Sequence, residues 1–372
     1  MGIHWFLFFI TAIILIIQGF VSRKFGTRRL SYRRYFSTNA CFQGDEIEMV
    51  EQIANRKLLP VPWLRLESLL HASLKFERQQ NLDINDGHWF QNHKSFFFSL
   101  LPYTQITRRH RVVCLRRGCY RLHTASLTTG DVMGLHKTTL QVDLDAELLV
   151  YPSIANAGEL NLPASSWHGD MTVRRWIVDD PFLISGVRPY RFGDPMKGIN
   201  WKATARIGSL QVHNHDYTAE NRFMIYLNVE DHENMWDKVE NEDLIEKGIS
   251  YAAAVAQQSV DSGMEVGFGS NAHLIDATKK AIRIEPARGS DQMNALLETM
   301  ARMVVARSIP FDTFLEEEAL RARTRQDILI ITTFVSSKMQ APIEQLRYDG
   351  NTVEIIVLKD ETSEKRKAGA GT

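Results

Sequence analysis

Residues 327–334 read Asp-Ile-Leu-Ile-Ile-Thr-Thr-Phe, DILIITTF. Four consecutive aliphatic residues followed by two β-branched threonines are too short for an isolated helix and suit a strand buried on both faces. Working outward, Lys338–Tyr348 has helical spacing and Thr352–Leu358 reads as a last strand. Upstream, Arg222–Val229 (RFMIYLNV) is a second short apolar run, and Asn241–Asp261 carries Leu244, Ile245, Ile249, Ala252, Ala253, Ala256 and Val260 at helical intervals. Glu242, Asp243 and Glu246 favour the positive end of that helix, and Gly263 stops it. Glu265–Ser270 is expected as a strand and Asp291–Ala306 as a helix. Strands alternating with helices imply right-handed βαβ units and a mainly parallel sheet over residues 221–360.

Between residues 23 and 155 the pattern is different. Short candidate strands occur at Arg29–Phe36, Glu46–Ala54, Leu64–Leu70, Lys94–Leu101, His110–Leu115, Gly118–Leu127 and Leu148–Tyr151, separated by turn residues. Many short strands spaced by turns predict a β-sandwich domain. Arg116-Arg117-Gly118 reads as a hairpin tip, which would bring Cys114 toward Cys119. With Cys41 these are the three cysteines, and no CxxC spacing marks a zinc site or a disulfide framework.

Residues 3–21, IHWFLFFITAIILIIQGFV, contain no Asp, Glu, Lys or Arg. At about 1.5 Å per residue such a helix just crosses a ~30 Å hydrocarbon core. A cleavable signal would carry positive charge ahead of the run and small residues behind it, and Gln18-Gly19-Phe20 fits poorly. Arg23, Lys24, Arg28, Arg29, Arg33 and Arg34 follow at once, with no acidic residue before Asp45. Basic residues stay on the cytoplasmic side, so the expectation is a single-pass inner (cell) membrane protein, N-terminus out and bulk cytoplasmic. Anionic headgroups would attract the same cluster. The whole chain of 372 residues carries 44 Lys plus Arg against 44 Asp plus Glu, which leaves no general attraction to nucleic acid. The expected architecture is α+β and multidomain: a transmembrane helix (1–22), the β-sandwich (23–155), a linker segment (156–220), the α/β domain (221–360) and a disordered tail (361–372).

The linker holds the most distinctive stretch: Arg188, Tyr190, Gly193-Asp194-Pro195, then Ile199-Asn200-Trp201-Lys202-Ala203-Thr204-Ala205-Arg206-Ile207-Gly208 and Leu210. Gly193-Asp194-Pro195 reads as a turn, Ile199–Arg206 as short helical turns with Trp201 as the buried anchor, and Gly208 as their end. This stretch resembles the signature of the bacterial and archaeal family called domain of unknown function 58. Arg117-Gly118-x-Tyr120, Gly130-Asp131-x-x-Gly134-Leu135, Val150-Tyr151-Pro152 and Ile284-x-Pro286-x-x-Gly289 are similar to members of that family too. The resemblance implies a transmembrane segment, a β-sandwich and a von Willebrand A-like α/β domain. It further implies a MoxR-type AAA+ ATPase and other membrane proteins as partners.

In cation-binding von Willebrand A domains the first strand ends in D-x-S-x-S, hard oxygen ligands that hold Mg²⁺. Here Asn228, Glu230 and His232 occupy those three places, a degraded site at which Mg²⁺ is the one conceivable cofactor. No GxSxG, HExxH or P-loop pattern occurs, so no catalytic residue is expected. His213 and His215, next to Asp216, share one strand face by spacing. The functional expectation is a non-enzymatic scaffold whose rim at the strand C-terminal ends, Asn228–His232 and the loop after Phe334, receives a partner. Two alternatives stay open: a metal-dependent hydrolase using Glu230, Asp231 and His232, and a binder of anionic ligands (nucleic acid or lipid) through the Arg188–Arg206 segment.

Overall fold

The computed structural model describes residues 2–76, 82–86, 90–155, 184–190, 199–215, 222–233, 235, 239–321 and 326–359. It is α+β, with an apolar N-terminal helix and several sheets, two of them mixed between parallel and antiparallel pairing. The described residues up to Ile154, with Leu274–Thr278 and Asn294–Val304, form one unit, and the rest form a second.

The apolar run is helical as α1 (Gly2–Phe25). Its span His4–Phe25 is long and apolar enough to cross a membrane, and only 11% of its most apolar window is buried. Arg23 and Lys24 sit in the last turn, where cations complement the helix dipole. The orphan carbonyls there are taken up by Lys57, whose Nζ donates to Phe25 O at 2.7 Å and to Gly26 O.

Ten strands follow: β1 (Leu30–Phe36), β2 (Ala40–Phe42), β3 (Glu46–Asn55), β4 (Val61–His71), β5 (Leu74–Phe76), β6 (Leu82–Asp86), β7 (Phe90–Leu100), β8 (Gln105–Cys114), β9 (Gly118–Gly130) and β10 (Lys137–Tyr151). They make a four-stranded sheet, β1-β3-β8-β5, and a six-stranded one, β2-β10-β9-β4-β7-β6. Pairing is antiparallel except between β2 and β10. The two-residue period of β4 turns Leu64, Leu66, Ser68 and Leu70 inward together. Met49 and Val112 of one sheet share a core cluster with Leu70, Leu122, Leu148 and Val150 of the other. Ile53 does the same with Leu66, Phe97 and Leu127.

The Arg116–Gly118 segment is not a hairpin tip, because β8 and β9 belong to different sheets. Tyr120 Oη donates to Arg116 O at 2.7 Å to hold the crossing, and Gly118 takes φ +153°. Arg117, buried, donates to the carbonyls of Met300 and Met303 at the end of a helix in the same unit. Cys114 therefore meets Cys41 (Sγ to Sγ 3.4 Å), not Cys119.

A polar network lies inside this apolar core. Arg34 and Glu51 form an ion pair with both side chains fully buried, so Arg34 is not part of the membrane-facing basic cluster. Glu51 also accepts from Tyr32 (3.2 Å) and Ser95 (3.3 Å) and meets His110 Nε2 at 3.1 Å, while Arg34 reaches Ser68 at 2.6 Å. Since Ser68 and Ser95 come from one sheet and Arg34 and Glu51 from the other, the network ties the two sheets in register. Burial opposes ionisation of Glu51, but Arg34 and the nearby imidazoles outweigh it and hold the carboxyl far below its usual range.

The second unit contains a hairpin, β11 (Ile184–Pro189) with β12 (Gln211–His215), enclosing a short helix, α2 (Trp201–Ile207). In chain order there follow β13 (Arg222–Leu227), α3 (Glu242–Asp261), β14 (Glu265–Ser270), β15 (Ala272–Leu274), β16 (Ile282–Ala287), α4 (Ser290–Arg302), β17 (Met303–Arg307), α5 (Phe311–Arg321), β18 (Asp327–Thr332), α6 (Ser337–Tyr348) and β19 (Thr352–Val357), of which Leu274, α4 from Asn294 onward and the start of β17 belong to the first unit. The main sheet runs β16-β14-β13-β18-β19: β14, β13, β18 and β19 are parallel, and β16 is an antiparallel edge. β18 buries Ile328 through Thr332, as its aliphatic run requires. The helix expected over 291–306 stops at Arg302, where β-branched Val304 and Val305 turn the chain into β17.

His93, wholly buried, has its pKa pushed down to about 3, first by burial and then by the Arg34 charge. Between the unfolded value of 6.5 and about 3 the unfolded chain binds the extra proton, so stability present above pH 6.5 is lost as pH falls. Denaturation of the full chain in detergent should show roughly 2 kcal/mol lost between pH 6.5 and 4.5. His93→Gln should flatten that loss; an unchanged slope would contradict the assignment.

Candidate functional site

The signature segment is built by local hydrogen bonds. Tyr190 N donates to Leu210 O at 2.9 Å, closing the hairpin over α2. Asn200 caps the helix, its Oδ1 accepting Ala203 N–H at 2.9 Å, and Gly208, at φ +76°, ends it. Thr204 Oγ1 accepts Gln211 N–H at 2.9 Å and pins the helix to β12. The buried anchor is Ile199, bridged to Val212, and not Trp201. α2 buries none of its residues, and Trp201 is 64% exposed beside exposed Lys202 and Arg206. Arg188 pairs its backbone with Val212. Gly193, Asp194, Asp216 and the tail from 361 lie outside the described residues, as do the side chains of Arg188, His213 and His215.

The rim lies just past β13. Asn228 is fully buried and spent: its Nδ2 donates to Thr332 Oγ1 (3.0 Å), and its Oδ1 accepts from Glu230 N (2.9 Å) and Asn271 Nδ2 (3.2 Å). Glu230 turns its carboxylate to Arg307 Nη1 and to Phe311 N–H at the start of α5, both at 3.3 Å. Burial raises the pKa of Glu230, and the Arg307 charge offsets only part of that rise. Asp231 accepts from Glu240 N–H and from Asn241 N–H (2.8 Å). Burial works against its charge, yet these amides outweigh it and hold its pKa low. His232 Nδ1 meets Asp231 Oδ1 at 2.6 Å and is exposed. Asn228, Glu230 and His232 are thus adjacent in sequence but face three different sets of partners. Beside them opens a cavity of about 180 Å³, lined among others by Glu230, Glu233, Arg307, Asp312 and Lys338.

Among the described residues, the His, Cys, Asp and Glu side chains close enough to share an ion are Glu51, His93 and His110. Their donor types suit Zn²⁺, but Arg34 already neutralises the one carboxylate. A divalent ion there would add uncompensated charge to a dry core. Sequence reasoning missed this cluster because its members lie on three strands far apart in the chain.

Residues 186–370 match the family model described as "Protein of unknown function DUF58", and the chain belongs to that family. It is 19% identical over 369 residues, 98% of this chain and 85% of the other, to the "Uncharacterized protein YeaD" of Bacillus subtilis (strain 168). Among solved structures it is similar to a non-cellulosomal cohesin from the archaeon Archaeoglobus fulgidus (14% identical, 32% of this chain and 91% of that one, TM-score 0.23). Another is Spo0M, the sporulation control protein of Bacillus subtilis (9% identical, 32% and 49%, TM-score 0.18). Likenesses of that size define neither fold nor role.

Arg307→Ala leaves a nearly buried carboxylate without its cation and should cost about 1–3 kcal/mol, whereas Glu230→Gln should cost less. Millimolar Mg²⁺ or Mn²⁺ is expected to leave the thermal midpoint unchanged. A rise that Glu230→Gln abolishes would establish a cation site instead.

Proposed function

We propose that this protein is a membrane-anchored, non-enzymatic scaffold. On this reading α1 crosses the cell membrane once with its N-terminus outside, and the bulk of the chain is cytoplasmic. The two face-packed sheets of the first unit are a β-sandwich, and the second unit is a von Willebrand A-like domain that recruits a protein partner. The charge run Arg23, Lys24, Arg28, Arg29 and Arg33 supports the orientation.

The observation that carries the docking role is α2. A helix of seven residues is too short to be stable by propensity, and this one is capped at both ends yet buries nothing. Hydrogen bonding is thus spent on holding Trp201, Lys202, Arg206 and Ile207 outward. Trp and Arg are the side chains that dominate binding hot spots, and an exposed Trp is otherwise costly. The complementary surface is an apolar pocket flanked by acidic groups. By the family resemblance the partner is an AAA+ ATPase of the MoxR type, with the rim cavity beside Glu230 and Lys338 as a second contact.

A photo-crosslinking residue placed at exposed Lys202, beside an intact Trp201, should capture an AAA+ ATPase in native membranes, and one at exposed Leu320 should not. Trp201→Ala should abolish capture by the purified protein without moving its thermal midpoint. Equal capture by Trp201→Ala would remove α2 from the interface.

A further inference from the structure

We infer that the end of the first unit from which α1 emerges is itself embedded in the bilayer, its loops inserted among the lipid acyl chains of one leaflet. The inference rests on the reading of α1 as a membrane-spanning helix and adds a second attachment to it.

The loops are built rather than floppy. Between β9 and β10, Asp131 O accepts from Gly134 N–H (3.1 Å) and from Trp63 Nε1 (2.9 Å), and Asp131 Oδ1 accepts His136 N–H (3.2 Å). Gly130 has no room for a side chain, since a Cβ there would lie 2.4 Å from His136 O. Gly134 takes φ +73°. This turn leaves Val132, Met133 and Leu135 pointing out, 62%, 59% and 77% exposed. Between β3 and β4, Leu58 is 76% exposed. Asn55 Nδ2 joins that loop, through Leu59 O (2.9 Å), to the next one, through Leu101 O (3.0 Å). In that third loop Leu101 is exposed as well, so three loops at one end of the unit present large apolar side chains to whatever surrounds them.

What surrounds them follows from α1. Gly19 is buried, and a Cβ there would lie 3.5 Å from Asp131 Oδ2. Gly19 and Ser22, buried, with Leu15 and Gln18, half-buried, form the helix face turned to the protein. A cavity of about 380 Å³ separates Ile14, Ile17 and Val21 of α1 from Leu59, Pro60 and Val132 of the loops. From Ser22 back to Ile14 the helix rises about 12 Å, most of the ~15 Å depth of one hydrocarbon leaflet. If that stretch of helix lies in lipid, so do the loops packed beside it. An apolar cavity there is filled by an acyl chain. Around it Arg23, Lys24, Arg28 and Arg29 stand ready for anionic headgroups, and Arg29 and Arg56 line a second cavity. Lys57, bonded to the last carbonyls of α1, fixes helix and loops as one body. Apolar loop tips ringed by basic residues match a lipid leaflet by both polarity and charge.

The test uses the full chain in phosphatidylcholine and phosphatidylglycerol nanodiscs, with Cys119→Ser to remove the half-buried native thiol. A fluorescent label is attached in turn at Leu135→Cys, at Ile14→Cys and at Leu320→Cys, and lipids carrying an acyl-chain nitroxide are then introduced. Labels at 135 and 14 should lose most of their emission, and the label at 320 should keep it. Quenching at 14 but not at 135 overturns the inference while the anchor stands. Quenching at neither position overturns the anchor reading and this inference with it.

Discussion

Water has no stable place for the outer faces of α1. Phe6, Phe8, Phe9, Ile16 and Phe20 are each more than half exposed. Fully burying a side chain of that size contributes about 1.5–3 kcal/mol, so five of them represent on the order of 10 kcal/mol. A whole domain is usually stable by only about 5–15 kcal/mol. On the proposed reading the acyl chains of a bilayer cover those faces, and the first unit meets the helix on the face that remains. Gly19 and Ser22 are on the face turned inward, and Lys57 closes the end.

Inside the first unit the opposite constraint applies. Arg34 and Glu51 are charged groups removed from water, and they persist there because β1, β4, β7 and β8 each supply a hydrogen-bonding side chain. Leucines in those places would pack with less desolvation cost, but would leave register to the apolar pattern alone. His93, whose ring nitrogens make no hydrogen bond and whose Nδ1 lies 4.0 Å from Glu51 Oε1, makes this core sensitive to acid. In the second unit an analogous arrangement recurs at the rim, where Arg307 and Phe311 N–H hold Glu230.

Much of this architecture was legible because it depends on periodicity. The aliphatic runs of β13 and β18 became central strands, and the helical spacing from Leu244 to Val260 became α3 with Asn241 as its cap. What escaped reading depends on contacts distant in sequence. A Gly-containing link between two strands looks the same whether they pair or lie in different sheets, so Arg116–Gly118 and the cysteines were misplaced. Arg34 looked like its neighbour Arg33, and only Glu51 on the next strand distinguishes them. Trp201 reads as core by residue type, and its exposure follows from caps that use other residues of the motif. α5 was missed because Pro310 masks a start that is favourable just before the first helical turn.

The central claim is that a lipid-spanning helix holds both units on the cytoplasmic side. Paired C-terminal fusions test it most directly, one to a fluorescent protein that matures only in the cytoplasm, the other to a phosphatase active only outside it. The account predicts fluorescence in the membrane fraction that resists carbonate extraction, with no phosphatase activity. Phosphatase activity without fluorescence, or release of the fusion by carbonate, would contradict it.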